Sequence, residues 1–449
     1  METPFAVTTN DAGHLTVDGV DVVSLAERFG TPLYALSEGA VRAQCRKYRE
    51  AMRAVDPRGD VVYAAKALLT TAVARILDEE GMHIDVVSGG ELYTALMAGF
   101  PPERIHFNGN AKTAAEVEMA IRAGVGRIII DNFAEIALVE ATAAAAGRRV
   151  SAMIRVTPGV EAHTHEFIQT GVTDSKFGFN YVGGQAFAAA EGIIRSRHID
   201  LAGVQCHLGS QILDQEPFST AARIMVKLAD EIRVRLGYVV PDLDMGGGLG
   251  VRYLAGDNPP PVADLMQSMA STIRAACAAC GMPVPRLVVE PGRSIVAEAG
   301  LILYRVESMK EIPGIRRYVA VDGGMADNIR PALYDAKYSV VNASRMNGDN
   351  GPAVTVAGRC CESGDIVARD VVMPEAQIGD VLAVLTAGAY TFSMANNYNR
   401  LPRPAMVLIG DNCVDVIVER QTYQDLIAHD RIPARLLARA EAAACSERQ

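Results

Sequence analysis

Apolar positions along the chain gather in short runs rich in Val and Ile. These are VVYAAK (61 to 66), HIDVVSGGE (83 to 91), RIHFNG (104 to 109), RIIIDN (127 to 132), VSAMIRVTPG (150 to 159), LAGVQCHLGS (201 to 210), DLDMGGGLG (242 to 250) and RLVVEPGRS (286 to 294). Between them lie amphipathic segments such as TTAVARILDEEG and AAEVEMAIRAG, with apolar residues at helical spacing and a closing Gly, the residue that stops helices. Strand and helix alternating eight times is the pattern of a parallel (β/α)8 TIM-like barrel, expected here over 39–297. The first five strands start about every twenty residues, close to the minimum for such a unit. Later intervals are longer. One of them, HTHEFIQTGVTDSKFGFN (163 to 180), reads as an insert and as a lid hinged at Gly171 and Gly178.

From about residue 301 the pattern changes. LILYRVESMKEI, RRYVAVDGGM, PAVTVAGRCCESGDIVARDVVM, DVLAVLTAGAY, AMVLIGDNC and VDVIVERQT are short alternating strands separated by turn residues. They predict a separate all-β domain over 298–449, a small closed or Greek-key β-barrel. The segment 1–38, containing LTVDGVDVVSLAERFG, is expected to add a strand to that domain.

Composition narrows the function. With 49% hydrophobic and 21% charged residues over 449 positions the chain is globular, and a net charge of -10 argues against nucleic acid or an anionic membrane as main partner. No apolar run approaches membrane-spanning length and METPFAVTTNDAGH lacks the regions of a signal peptide, so a cytoplasmic protein is expected. Eight cysteines in so long a chain read as buried thiols rather than a disulfide framework, and the C-A-A-C of Cys277 and Cys280 has no second pair. His163 and His165 have no third metal ligand in view, and no metal is expected. Only seven of the 43 basic residues are lysines, which sets Lys66, inside an apolar run, apart.

Active sites of β/α barrels are built where the strands end. Those ends carry Lys66, Asp85 with Ser88, Asn108, Asp131 with Asn132, Arg155, His207 with Ser210, Gly246 to Gly248, and Glu290 with Arg293. Asn108 and Asp131, taken singly, read as satisfied loop polar groups. The M-G-G-G-L-G run after the seventh strand lets backbone N–H groups approach an anion, in the place where barrels bind phosphate. A lysine in a barrel mouth is a competent Schiff-base nucleophile. Lysine, phosphate cradle and a carboxylate for a pyridinium nitrogen, Glu290, together meet the needs of pyridoxal 5'-phosphate, with the His207 imidazole able to lie on its ring. A Schiff-base aldolase acting on a phosphorylated substrate is the rival, but it would need neither ring partner nor second domain.

These residues carry a resemblance to a known family. YAAKA around Lys66, DVVSGGEL (85 to 92), HLGSQI (207 to 212), GGGLG (246 to 250), EPGRS (290 to 294), DNIRPALY (327 to 334), CESGD (361 to 365) and GAYTFSMANNYN (388 to 399) occur in the order found in the diaminopimelate decarboxylases, of the alanine-racemase-like, fold type III pyridoxal-phosphate enzymes. The resemblance implies decarboxylation of meso-2,6-diaminopimelate to L-lysine, with Lys66 as covalent anchor, His207 against the ring and Glu290 on its nitrogen. It implies that Ser210, Gly246, Gly247, Gly248 and the backbone beside Arg293 hold the phosphate, in a pocket with Asp85, Arg155, Gly292 and Tyr390. Arg293, Arg330, Tyr334, Glu362 and Tyr390 would hold substrate. It further implies a homodimer with shared active sites, in which Cys361 and Glu362 serve the partner's Lys66. Arginines plus one carboxylate suit a substrate end bearing both carboxylate and ammonium, and a thiol suits the return of a proton to Cα. Ala-Leu-Leu after Lys66, and Cys360 before Cys361, depart from common family patterns. They keep open a decarboxylase of another basic or modified diamino acid, such as ornithine, arginine or carboxynorspermidine. A non-catalytic homologue would have lost Lys66 or Cys361, and a racemase would need a tyrosine base, for which Tyr390 is the candidate.

Overall fold

Eight parallel strands close into a barrel: β1 (Asp60–Ala64), β2 (His83–Val86), β3 (Ile105–Phe107), β4 (Arg127–Ile130), β5 (Val150–Thr157), β6 (Ile199–Cys206), β7 (Asp242–Asp244) and β8 (Arg286–Val289). The computed structural model describes residues 7–160, 171, 174–411 and 413–436. Closure comes from β8 pairing with β1 through Val288 opposite Asp60. Successive side chains of a strand point to opposite faces, so each strand has an outer and an inner set. The outer set, with Ile84, Val86, Ile128, Ile130 and Ile154, joins the main apolar core under the surrounding helices.

The inner set is largely polar. His83 and Asp85 on β2, His106 on β3, Arg127 on β4, Arg155 on β5, Gln205 on β6, and Asp242 and Asp244 on β7 point along the axis. Ile129, Met153 and Ala202 form a small apolar cluster of their own. At the floor, Arg286 grips Asp242 with two N–H···O bonds of 2.9 and 2.7 Å and reaches Asp60 at 2.7 Å. Such a bidentate fork fixes charge geometry that a lysine could not.

The second domain is a mixed sheet built on one long strand, Gly300–Ile312. Its first half pairs with Val381–Val384 and with Leu33–Ser37, and its second half with Arg316–Val321. Leu33–Ser37 also pairs with Ala405–Gly410, so the N-terminal segment completes this sheet as expected. The strand that does so lies just beyond LTVDGVDVVSLAERFG. Within that stretch, Leu15–Val17 and Val20–Asp21 fold back on each other around Asp18 and Gly19, both at positive φ, as a two-residue hairpin demands. The hairpin joins Val7–Thr9 in a separate three-stranded sheet, and Asp21 then caps the helix Val22–Phe29.

The two domains meet at glycines. A Cβ on Gly388 would collide with the carbonyl of Val296, and one on Gly300 with the Gly388 backbone. This close approach carries the segment after Val381–Val384 over the barrel mouth. No helix among the described residues is long and apolar enough to cross a membrane. The expected lid lies mostly outside the described residues. Of its two hinges, Gly171 is buried, with its carbonyl accepting from Gly159 and Val160 and its N–H bonding Leu208, while Phe179–Asn180 after Gly178 adds a short strand to the edge of β5.

Candidate active site

A cavity with about 470 Å³ of space, part of it continuous with solvent, opens at the C-terminal ends of the barrel strands. Its walls include Lys66, Asp85, Asn108, Arg155, His207, Ser210, Gly248, Glu290, Gly292, Arg293 and Tyr390. Most sequence-expected cofactor residues therefore converge on one space. Lys66 is not in β1, which ends at Ala64 with the last ladder pair to Asp85. It sits on the single 3-10 turn Ala65–Ala67. That turn lifts its amine out of the sheet and into the cavity.

Glu290 follows β8 and is buried. Gln205 donates to its Oε2 at 2.8 Å, while Oε1 meets no hydrogen-bond donor among the described residues. Burial raises its carboxyl above the usual range, and the Gln205 bond, Lys66 and Arg155 pull it back. Asp85 is buried with Oδ1 likewise unsatisfied, and burial, then the Glu290 charge, push it well above the carboxylate range. Arg155 is buried under Phe177, 4.2 Å from the ring centre, and donates to Asn108 Oδ1 at 3.4 Å, with Asp131 at 3.9 Å. Asn108 is satisfied, as read from the sequence, with Oδ1 accepting from the Gly109 N–H at 3.0 Å and from Arg155, and it also forms part of the cavity wall. Burial, and after it Lys66 and Arg155, depress His207 well below the ordinary histidine value, which keeps a neutral ring beside two cations. Its Nδ1 accepts the Gly247 N–H at 3.4 Å.

Among the three glycines after β7, Gly248 faces the cavity, and Gly246 and Gly247 lie behind it against backbone. A Cβ would strike the carbonyl of Cys206 at Gly246, and that of Glu290 at Gly247. A Cβ on Gly292 would crowd the turn that carries Lys66, lying 3.0 Å from the Cβ of Ala64 and 3.2 Å from that of Ala67. The result is a cradle whose N–H groups are bare of side chains. Arg293 closes this side. It donates to Ser210 Oγ at 3.2 and 2.8 Å and to the Tyr253 hydroxyl at 2.5 Å, and its guanidinium lies 4.8 Å from the Tyr390 ring centre.

Arg330 is buried at the rim, stacked 5.6 Å from the same Tyr390 ring and 5.3 Å from the Tyr334 ring, with Nε donating to Tyr338 at 2.9 Å. Cys361 and Glu362 do not line the cavity of their own chain. Both are exposed on a turn where the Cys361 N–H bonds Asn399 at 2.8 Å. Cys360 beside them is buried, and burial, with Asp365 next to it, pushes its thiol up to about 12. Ser88 and Asn132 cap helices, accepting from the N–H groups of Glu91 and Glu135. Gln205, Tyr253 and Tyr338 were not anticipated. Gln205 had a signal, two residues before His207 and so on the same strand face; the tyrosines had none.

The residues fit a phosphorylated pyridine aldehyde. The side-chain-free cradle and Ser210 suit a phosphate, Glu290 Oε1 is a buried acceptor without a donor, and Lys66 is the amine at hand. Fold and cavity together define the class. Residues 38–297 match the family described as pyridoxal-dependent decarboxylase, pyridoxal binding domain. Pyridoxal phosphate is the cofactor and the chain is an enzyme.

The full chain narrows this further. It is 46% identical to a diaminopimelate decarboxylase of Bacillus subtilis over 94% of this chain and 96% of the relative, and 40% identical to one of Mycobacterium tuberculosis over 95% and 96%. The crystal structure of the M. jannaschii diaminopimelate decarboxylase in complex with L-lysine superposes with a TM-score of 0.90 at 38% identity, covering 96% of this chain and 99% of that one. The Helicobacter pylori counterpart, also with L-lysine, gives 0.83 at 31%, covering 91% and 98%. The chain belongs to the diaminopimelate decarboxylase family.

Proposed function

We propose that the enzyme removes CO2 from meso-2,6-diaminopimelate to give L-lysine, the last step of lysine biosynthesis. The observation that carries this is the convergence of Lys66, Glu290, Arg155 and the glycine cradle on one cavity, in a chain whose family relatives have been captured with L-lysine. When bound, pyridoxal phosphate supplies the electron sink that takes up the charge left on Cα as CO2 departs.

The protein's own groups do the rest. Lys66 anchors the cofactor aldehyde, and Glu290 keeps a proton on the ring nitrogen. Ser210 and the N–H groups at Gly248 and beside Arg293 hold the phosphate, with the Tyr390 hydroxyl nearby, while Gly246 and Gly247, whose N–H groups bond Asp244 and His207, shape the turn behind it. His207, neutral and bonded to Gly247, braces the ring face, while Asp85, Arg155 and Gly292 shape the remaining wall. Arg293, Arg330, Tyr334 and Tyr390 clamp the substrate's charged ends. The Arg293–Tyr390–Arg330 stack joins cavity to rim, so both guanidiniums are held before substrate arrives.

Cys361 Sγ returns a proton to Cα, and Glu362 binds the distal ammonium. Both act in the partner's cavity within a homodimer, a reading supported by their exposure away from their own Lys66. Cys360, buried and held protonated, is the poorer donor of the two thiols. A cytoplasmic setting accords with the absence of disulfides among the described cysteines. Measuring CO2 release from meso-diaminopimelate, ornithine, arginine and carboxynorspermidine tests the substrate. A large preference for any of the last three would sink this reading in favour of another diamino-acid decarboxylase.

A further inference from the structure

Beneath Glu290 the barrel axis holds two more buried polar side chains. His106, Asp244 and Glu290 each bring one nitrogen or oxygen within 4.8 Å of the other two. Asp244 is fully buried, and its Oδ1 accepts the Gly246 N–H at 2.9 Å. Asp244 Oδ2, Glu290 Oε1 and His106 Nδ1 have no hydrogen-bond donor or acceptor among the described residues. Two carboxyl groups buried this near one another oppose a second negative charge, and a proton placed between them relieves the repulsion.

We propose that Asp244 is the protonated partner of Glu290, donating one shared proton to it with His106 as the third wall, and so acts as a positioning residue that holds a single negative charge toward the cofactor ring. This rests on the role given to Glu290 above. The surroundings agree on where the charge sits. Lys66 and Arg155 face Glu290 from above and favour its charged form, while Asp85 opposes it. The leading charged neighbours of Asp244 are carboxylates, Glu290 and then Asp85. Burial first, and then Glu290, push it well above the carboxylate range. His106 is held neutral by burial and by His83, Arg127 and Arg286 below it, so the ring adds a polar contact without adding charge. The Gly246 bond ties the pair to the cradle, so the proton also fixes where the glycine run begins. A metal ion would use the same three side chains, but it would add a divalent positive charge beside Lys66 and Arg155, which is why the proton is the favoured occupant.

The test uses the full-length protein with and without pyridoxal phosphate, comparing Asp244→Asn, Asp244→Leu and Asp85→Asn. Asparagine keeps the shape and still donates to Glu290, whereas leucine does not. The expected result is that Asp244→Asn removes one component of the wild-type protonated-carboxyl infrared band around neutral pH, a component that Asp85→Asn leaves in place, while Asp85 and Asp327 contribute components of their own. Asp244→Asn should keep its cofactor affinity within about 3-fold of wild type, and Asp244→Leu should lose roughly 10-fold or more. Three outcomes would overturn the proposal: a protonated-carboxyl band in Asp244→Asn unchanged from wild type, asparagine weakening cofactor binding as much as leucine, or a chelator-removable divalent ion at one per chain. Borohydride reduction and peptide mapping run in parallel. A cofactor adduct away from Lys66 would refute the reading of the active site, and the infrared result on cofactor-free protein would still decide the shared proton.

Discussion

Tyr390 donates its backbone N–H to the carbonyl of Ala67 at 2.7 Å, one residue beyond Lys66. The second domain is thereby hydrogen-bonded to the turn that carries the anchoring amine, and Ser393 Oγ reinforces the contact by donating to the same carbonyl at 3.1 Å. Tyr390 holds this pose at a positive φ of 61°, which a tyrosine adopts only when its surroundings impose it.

Two substitutions separate the Tyr390 ring from its hydroxyl. Tyr390→Phe keeps the ring between Arg293 and Arg330, and its substrate KM should stay within about 2-fold of wild type. Tyr390→Leu removes the stack and should raise KM by roughly 5- to 30-fold, equivalent to ~1–2 kcal/mol. Equal effects in steady-state kinetics of both variants would place the contribution on the hydroxyl instead.

Sharing of active sites predicts complementation. Lys66→Ala and Cys361→Ala should each be inactive as homodimers, with CO2 release down roughly 10³-fold for the lysine variant. Co-expressed, half of randomly paired dimers carry one intact site of two, so about a quarter of wild-type activity should return. No recovery in purified heterodimers would exclude a site built from both chains.

Asp327 makes stability depend on pH. It is buried in the turn before Arg330, and burial, opposed by the Gly324 N–H and reinforced by Asp322 and Asp365, raises its carboxyl to about 7. An unfolded aspartate titrates near ~3.9, so the folded state holds the extra proton between those values. The stability from that proton is whole below ~3.9 and is lost as pH rises through about 7. Urea melts of Asp327→Asn should show a flatter dependence between about pH 5 and about pH 8, with the variant gaining on wild type at the upper end. An unchanged slope would contradict the assignment.

Lys112 and Glu135 form a buried ion pair at 2.6 Å behind Asp131, and the Lys112 ammonium also bonds the carbonyls of Gly109 and Ile129. Lys112→Met strands the Glu135 charge and should cost ~3–5 kcal/mol in denaturant unfolding. Adding Glu135→Leu should restore much of that loss; a single variant as stable as wild type would argue against the pair.

The barrel was legible because its outer faces repeat hydrocarbon at a fixed spacing, and the cavity because strand ends mark where a barrel does chemistry. VVYAAK overran its strand since Ala65 and Lys66 stay close to the core after the ladder stops at Ala64. The hairpin at Asp18 and Gly19 shows the opposite difficulty, in which local turn chemistry and not apolar pattern decided which strand reached the larger sheet. His106 and Asp244 escaped notice because each lies inside a run read as apolar, where polar residues at every second position were the unused signal. Tyr253 and Tyr338 meet edge to face at 5.1 Å from loops far apart in sequence, a meeting no local pattern encodes.

The polar barrel axis separates two duties within each strand. On β2, Ile84 and Val86 hold the helices in place, while His83 and Asp85, one position away, set the field inside. Exchanging an axial group alters interior electrostatics and leaves the hydrocarbon seam with the helices untouched. The scaffold and the reaction it hosts are therefore free to diverge at different rates, at neighbouring positions of the same eight segments.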